Sequence, residues 1–153
     1  MSTVGAASSG SPTTPRDAEV KWEGFAELGG YRSMGVPFVS RGHFAGRWRA
    51  EVSVNAAGSA VYASLSRSSH FPVGAVIAKK HLERDAGTLG PLFVMIKRAP
   101  GFFPQGGDWE YLVTDKDGWI EDRGPLATCA RCHVEANADW VFGLPAEARA
   151  PAP

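Results

Sequence analysis

From Trp48 onward apolar and polar positions alternate: Trp48, Ala50, Val52 and Val54 fall on one side, and Arg47, Arg49, Glu51 and Ser53 on the other. Period two is the mark of a strand with one buried face. "AVIAKKHL" at 75–82 continues in the same way, with Ala75, Ile77 and Lys79 on one side and Val76, Ala78 and Lys80 on the other. "PLFVMIKR" at 91–98 predicts a third strand. "WEYLVTD", "KDG" and "WIEDR", spanning 109–123, predict a strand, a turn ending in Gly118 and a returning strand. Between these segments "NAAGSA" reads as a turn, "VYASL" as a short strand or helix, and "HFPVG" as a break. Four or five strands with short connections predict an antiparallel meander.

Two segments depart from period two. "PRDAEVKWEGFAEL" spaces Val20, Phe25 and Leu28 at loosely helical intervals and stops at Gly29 and Gly30, which predicts an N-terminal helix. "PLATCARCHVEANADWVF", at 125–142, has the length and composition of a C-terminal helix. The expected fold class is therefore α+β: mainly antiparallel sheet, with a helix at each end. Residues 1–16 are small, polar and proline-containing and are expected to form a disordered lead-in, and 146–153 a frayed tail. That leaves a single domain at 17–145.

Composition narrows the function classes. A chain of 153 residues with 44% hydrophobic content suffices for one core. Sixteen basic and sixteen acidic side chains cancel, so no net field draws the protein to nucleic acid or an anionic membrane. No apolar run approaches the roughly 20 residues of a membrane-spanning helix.

The candidate chemistry lies in "CARCH": Cys129 and Cys132, the only cysteines, followed at once by His133. A zinc site would need two further ligands from His43, His70, His81 and His133, and no second pair stands at finger-like spacing. A thioredoxin-like pair belongs at the start of a helix after an early strand of a βαβ unit, whereas this pair comes late. Attachment of c-type haem uses every residue of the motif, since both thiols bond the porphyrin and the imidazole binds its iron. In bacteria that attachment takes place outside the cytoplasm. A periplasmic protein whose export signal has been removed is therefore expected. Small helical electron-transfer cytochromes carry the motif near the N-terminus and a ligand methionine far downstream, but no methionine follows His133 here. Four-helix bundles do not fit the alternating middle of the chain.

"FPVGAVIAKKH", "VMIKRAPGFFPQGGDWEY" and "CARCHVEANADWVF" together resemble the cytochrome P460 family, with the related β-sheet cytochromes c′, over about residues 31–142. The resemblance implies a homodimer with one haem c per subunit, bound through Cys129 and Cys132. It also implies a five-coordinate iron on His133, with an open side for hydroxylamine, nitric oxide or a similar small ligand. In the P460 branch a strand lysine is bonded to the porphyrin. The match puts it at Lys79, with Lys80 as runner-up because a one-residue shift reverses the face. Arg49 corresponds to a strand arginine of the distal pocket. Phe93 falls where hydroxylamine-oxidising members carry a carboxylate, and a phenyl ring cannot accept a proton. Two functions follow from the resemblance. One is a hydroxylamine oxidoreductase passing electrons to a soluble acceptor, favoured by Lys79. The other is a non-enzymatic cytochrome binding nitric oxide or carbon monoxide, favoured by Phe93. Trp109 and Trp140 are expected in the core or the dimer contact.

Overall fold

The computed structural model describes residues 20–149, so the expected lead-in at 1–16 lies outside the described residues. Two short strands, β1 (Arg32–Ser33) and β2 (Phe38–Val39), each pair antiparallel with β3 (Trp48–Val54). From β3 the chain continues through β4 (Val76–Glu83), β5 (Leu89–Lys97), β6 (Trp109–Thr114) and β7 (Ile120–Gly124), each antiparallel to the one before. The expected meander is present, extended to seven strands by the two edge pieces. The fold is α+β and mainly antiparallel.

The register decides which side chains share a face. One row runs Val52, Lys79, Phe93 and Val113 across β3 to β6, and the next runs Val54, Ile77, Met95 and Tyr111. The opposite face presents Ala78, Leu92, Val94, Ile96 and Leu112, which pack with Trp22 and Leu28. Both faces are therefore covered. Leu92 and Leu112 are almost wholly buried, and each such side chain contributes roughly 1.5–3 kcal/mol of transfer free energy.

The helical segments differ from expectation. The N-terminal one is a 3-10 helix, Glu23–Gly30, that runs through Gly29 and Gly30 and leaves Val20 exposed. Its position is set by the buried Trp22, whose indole occupies the space a side chain at Gly24 would need. "NAAGSA" is not a turn but the first part of α1 (Ala56–Ala63). The Asn55 side chain caps that helix by accepting from the Gly58 N–H at 3.2 Å, and it ties the cap to the sheet by accepting from the Val76 N–H at 2.9 Å. The motif-bearing helix α2 (Ala127–His133) ends at His133 rather than near Phe142. Beyond it Asp139 and Trp140 adopt left-handed backbone, φ 52° and 62°, which turns the chain back on itself. The segment expected to fray is packed where it is described. Ala146–Ala148 form a 3-10 turn, Ala148 is fully buried, and its carbonyl accepts from the Val36 N–H at 2.9 Å.

Candidate functional site

A cavity of about 810 Å³ lies between the Lys79 face of the sheet, α2 and the C-terminal segment. That is within the roughly 300–1,000 Å³ span of cofactor pockets. Cys129, Cys132 and His133 of α2 line it, and so do Lys79 and Phe93 of the sheet. Five of the six residues singled out from the sequence thus meet at one site. Arg49 does not. It sits on the face opposite Val52, exposed, with Nη2 donating to the Pro37 carbonyl at 3.4 Å. The guanidinium brought to the lining is that of Arg41, on the loop before β3. Lys80 points away from the cavity, as strand alternation requires.

His133 is oriented for ligation. Its Nδ1 lies 2.9 Å from the Trp140 carbonyl oxygen. A carbonyl can only accept, so Nδ1 carries the proton and the Nε2 lone pair is free. Metal-binding histidines are commonly held in this way by a backbone carbonyl.

The turn that presents this carbonyl is itself pinned. The Asp139 carboxylate accepts from Lys97 Nζ at 2.8 and 3.0 Å and from the Phe71 N–H at 2.8 Å. Trp109 Nε1 donates to the Asp139 carbonyl at 2.8 Å, and Lys97 Nζ also donates to the Gly107 carbonyl at 2.7 Å. Gly107 has φ 70°, and a Cβ there would stand 2.6 Å from the Trp140 ring. The Gly-Gly-Asp-Trp segment is therefore needed for close approach of the turn that holds His133.

The sheet side contributes a desolvated amine. Lys79 stands between Val52 and Phe93 on its strand neighbours, and burial lowers its pKa to about 8. Lowering makes the neutral, nucleophilic form more accessible. Next to Phe93, at a ring-centre separation of 4.3 Å, stacks His43, which also lines the cavity. His81 packs edge-on to Phe93 at 5.0 Å, with Nδ1 held by the Pro91 carbonyl at 3.0 Å. Burial, reinforced by the charge of Lys79, lowers the pKa of His43 to about 3, and burial lowers that of His81 to about 4.

The other two readings of the cysteine pair fare worse against this geometry. Among the described residues no three His, Cys, Asp or Glu side chains converge as metal ligands, so the zinc arrangement lacks its remaining donors. Cys129 is the third residue of α2 rather than a residue at its start, and burial raises its pKa, whereas a redox-active thiol needs a lowered one. The cavity dimensions, the paired thiols at its wall and the free Nε2 all fit haem c. Comparison with models of known protein families and with curated proteins finds no match for the chain.

Arg41, Lys97 and Asp139 went unsingled in the sequence, and His43 was named there only among the histidines a zinc site would draw on. "SRGHFAGRW" has no periodicity to mark His43, and the Lys97–Asp139 pair spans 42 positions with no local pattern.

Proposed function

We propose that the chain is a mono-haem c protein of the cytochrome P460 type that oxidises hydroxylamine, with associated nitric oxide chemistry. The observation that carries this reading is the convergence of Cys129, Cys132, His133 and Lys79 on one cofactor-sized cavity. When bound, haem supplies the redox-active iron at which such chemistry occurs. The chain's own residues do the rest. Cys129 and Cys132 would anchor the group by adding S–H across its vinyl groups, and His133, with Nδ1 tied to Trp140, would offer Nε2 to the iron. Lys79 would supply an amine to a porphyrin carbon, an N–H and a C–H being replaced by an N–C bond. Two protons and two electrons would leave, so maturation would require a two-electron oxidant such as a peroxide. The apolar lining around Phe93 and Val52 limits water, and substrate electrons pass to a soluble acceptor. The same reading makes the mature protein periplasmic and homodimeric.

A second reading, a non-enzymatic cytochrome binding nitric oxide or carbon monoxide, is favoured by Phe93, which lines the cavity where a proton-accepting carboxylate would serve the oxidation.

The experiment is mass spectrometry of haem peptides from the holoprotein. The expected result is one porphyrin joined both to the segment containing Cys129 and Cys132 and to the segment containing Lys79. Lys79→Arg keeps the charge but removes the primary amine. It should return the absorption spectrum to that of an ordinary haem c and abolish hydroxylamine oxidation. An ordinary wild-type spectrum that the substitution leaves unchanged supports the gas-binding reading instead. Absence of covalent haem on denaturing gels defeats both.

A further inference from the structure

The resemblance implies an open iron face opposite His133, but a second imidazole, that of His43, lines the same cavity. The ring centres of His43 and His133 are 6.5 Å apart, with planes inclined at 37°. Two imidazoles bonded to opposite sides of one metal ion, each through a bond of about 2.0–2.1 Å, hold their ring centres roughly 6–6.5 Å apart. We propose that His43 is a second axial ligand, binding the haem iron opposite His133 in the resting protein. This rests on the haem c reading and alters its distal side from open to internally ligated.

The other side chains leave few competitors. Of the four histidines, His70 is exposed, and His81 is fully buried behind Phe93 with its Nδ1 committed to the Pro91 carbonyl. Met95 and Lys79 also line the cavity, but Met95 is packed in the core between Ile77 and Tyr111 on the neighbouring strands, and the proposed function commits the Lys79 amine to the porphyrin. His43 alone joins His133 as an imidazole in the cavity lining. Its Nδ1 is buried without a hydrogen-bond partner, as is Nε2 of His81, whose ring centre lies 5.5 Å from that of His43. Buried polar atoms are rarely left unpaired, and each one calls for an explanation. His81 is placed to steady the outer nitrogen of His43, as histidine ligands elsewhere are steadied by their surroundings.

The backbone aims His43 at some cost. Immediately after it Phe44 and Ala45, neither a glycine, adopt φ of 55° and 49°, followed by Gly46 at 82°. Consecutive left-handed residues persist only where the surroundings demand them, and they cluster at ligand clamps. Here they let His43 stack on Phe93 while Phe44, 46% exposed, packs edge-on against His81 and Phe93 at 5.5 Å from each. A ligand carried on such a loop can yield to an incoming small molecule.

The test uses the full chain with haem attached, read by absorption and electron paramagnetic resonance in the ferric state. Wild type should be low-spin and six-coordinate. His43→Ala should be high-spin, and added imidazole should restore the low-spin spectrum. Removing an internal competitor that occupies most of the iron should also strengthen apparent cyanide binding by about tenfold or more. His43→Gln, closer in size but a poor ligand, guards against misfolding of the alanine variant and should be high-spin as well. High-spin wild-type iron, or a low-spin spectrum untouched by both substitutions, overturns the role of His43 and leaves the haem c reading standing. Failure of the wild-type protein to stain for covalent haem removes both together.

Discussion

The two faces of the sheet are built from the same strands yet resolve opposite problems. One face, with Ala78, Leu92, Val94, Ile96 and Leu112 against Trp22 and Leu28, is close-packed. At its edge Glu110 accepts from Arg98 and, at 2.8 Å, from Arg123 Nε, while Arg123 also donates twice to Glu23 at 2.8 Å. Each of these four charges has a partner. The other face encloses a cavity and leaves two histidine nitrogens and the Trp140 indole N–H buried without partners, beside a lowered lysine and two left-handed turns. Local rules are obeyed where a face only has to be stable. They are broken where it has to hold something, and the breaks cluster around one volume.

Substitutions in the packed face should therefore cost stability, and substitution of the desolvated Lys79 in the cavity should not. The largest effect is expected from Leu92→Ala, where no space exists to collapse into. A loss of about 2–5 kcal/mol, read from the denaturant midpoint at unchanged slope, is the expected outcome. A loss below about 1 kcal/mol would mean that this face is not close-packed.

Glu110→Ala should cost less, about 1–3 kcal/mol, because Arg123 keeps Glu23 and the Arg98 guanidinium it leaves unpaired is partly exposed. Its pH dependence has a definite sign. Glu23 is lowered to about 2, chiefly by its hydrogen bond to Arg123, and Arg123 and Arg98 lower Glu110 against the opposing effect of burial. Carboxyls depressed in the folded state stabilise it above their unfolded pKa of about 4.3 and lose that contribution as pH falls toward the folded value. Acid titration of stability should fall steeply from about pH 4.5 to pH 2 in wild type and less steeply in Glu110→Ala. Parallel curves would detach the ion network from acid stability.

The smallest effect is expected on the cavity face. Lys79→Met in haem-free protein removes a desolvated amine and should change stability at neutral pH by less than about 1 kcal/mol, in the stabilising direction. A cation whose folded pKa is depressed destabilises the fold while protonated, so wild-type stability should rise between about pH 8 and the ordinary lysine value, and the Met variant should lose that rise. A marked loss of stability on substitution would show that Lys79 serves the fold rather than the cavity.

Period two alone made the meander legible, and with it the sharing of one face by Ile77 and Lys79, because strand alternation is local and needs no knowledge of partners. The Cys-x-x-Cys-His motif was equally plain, since Cys129, Cys132 and His133 lie within five residues of one another. Helix ends were less so. "PLATCARCHVEANADWVF" contains no glycine or internal proline to mark a stop, yet α2 ends at His133, and the left-handed turn that follows at Asp139 and Trp140 is held by tertiary bonds no linear pattern shows. Arg49 was misplaced for a related reason: a position transferred by resemblance competed with the alternation that set Arg49 opposite Val52, and alternation prevailed. His43 was named only among possible zinc ligands, and its place beside His133 could not be found from a linear pattern. Its meaning depends on a distance to a side chain 90 positions away. The chain's own order of residues determines strands, faces and the reactive motif through interactions between near neighbours. Which groups meet across the cavity was decided only by the register of β3, β4 and β5 and by turns held open against their local preference, because packing distant segments together is what brings separated chemistry to one place.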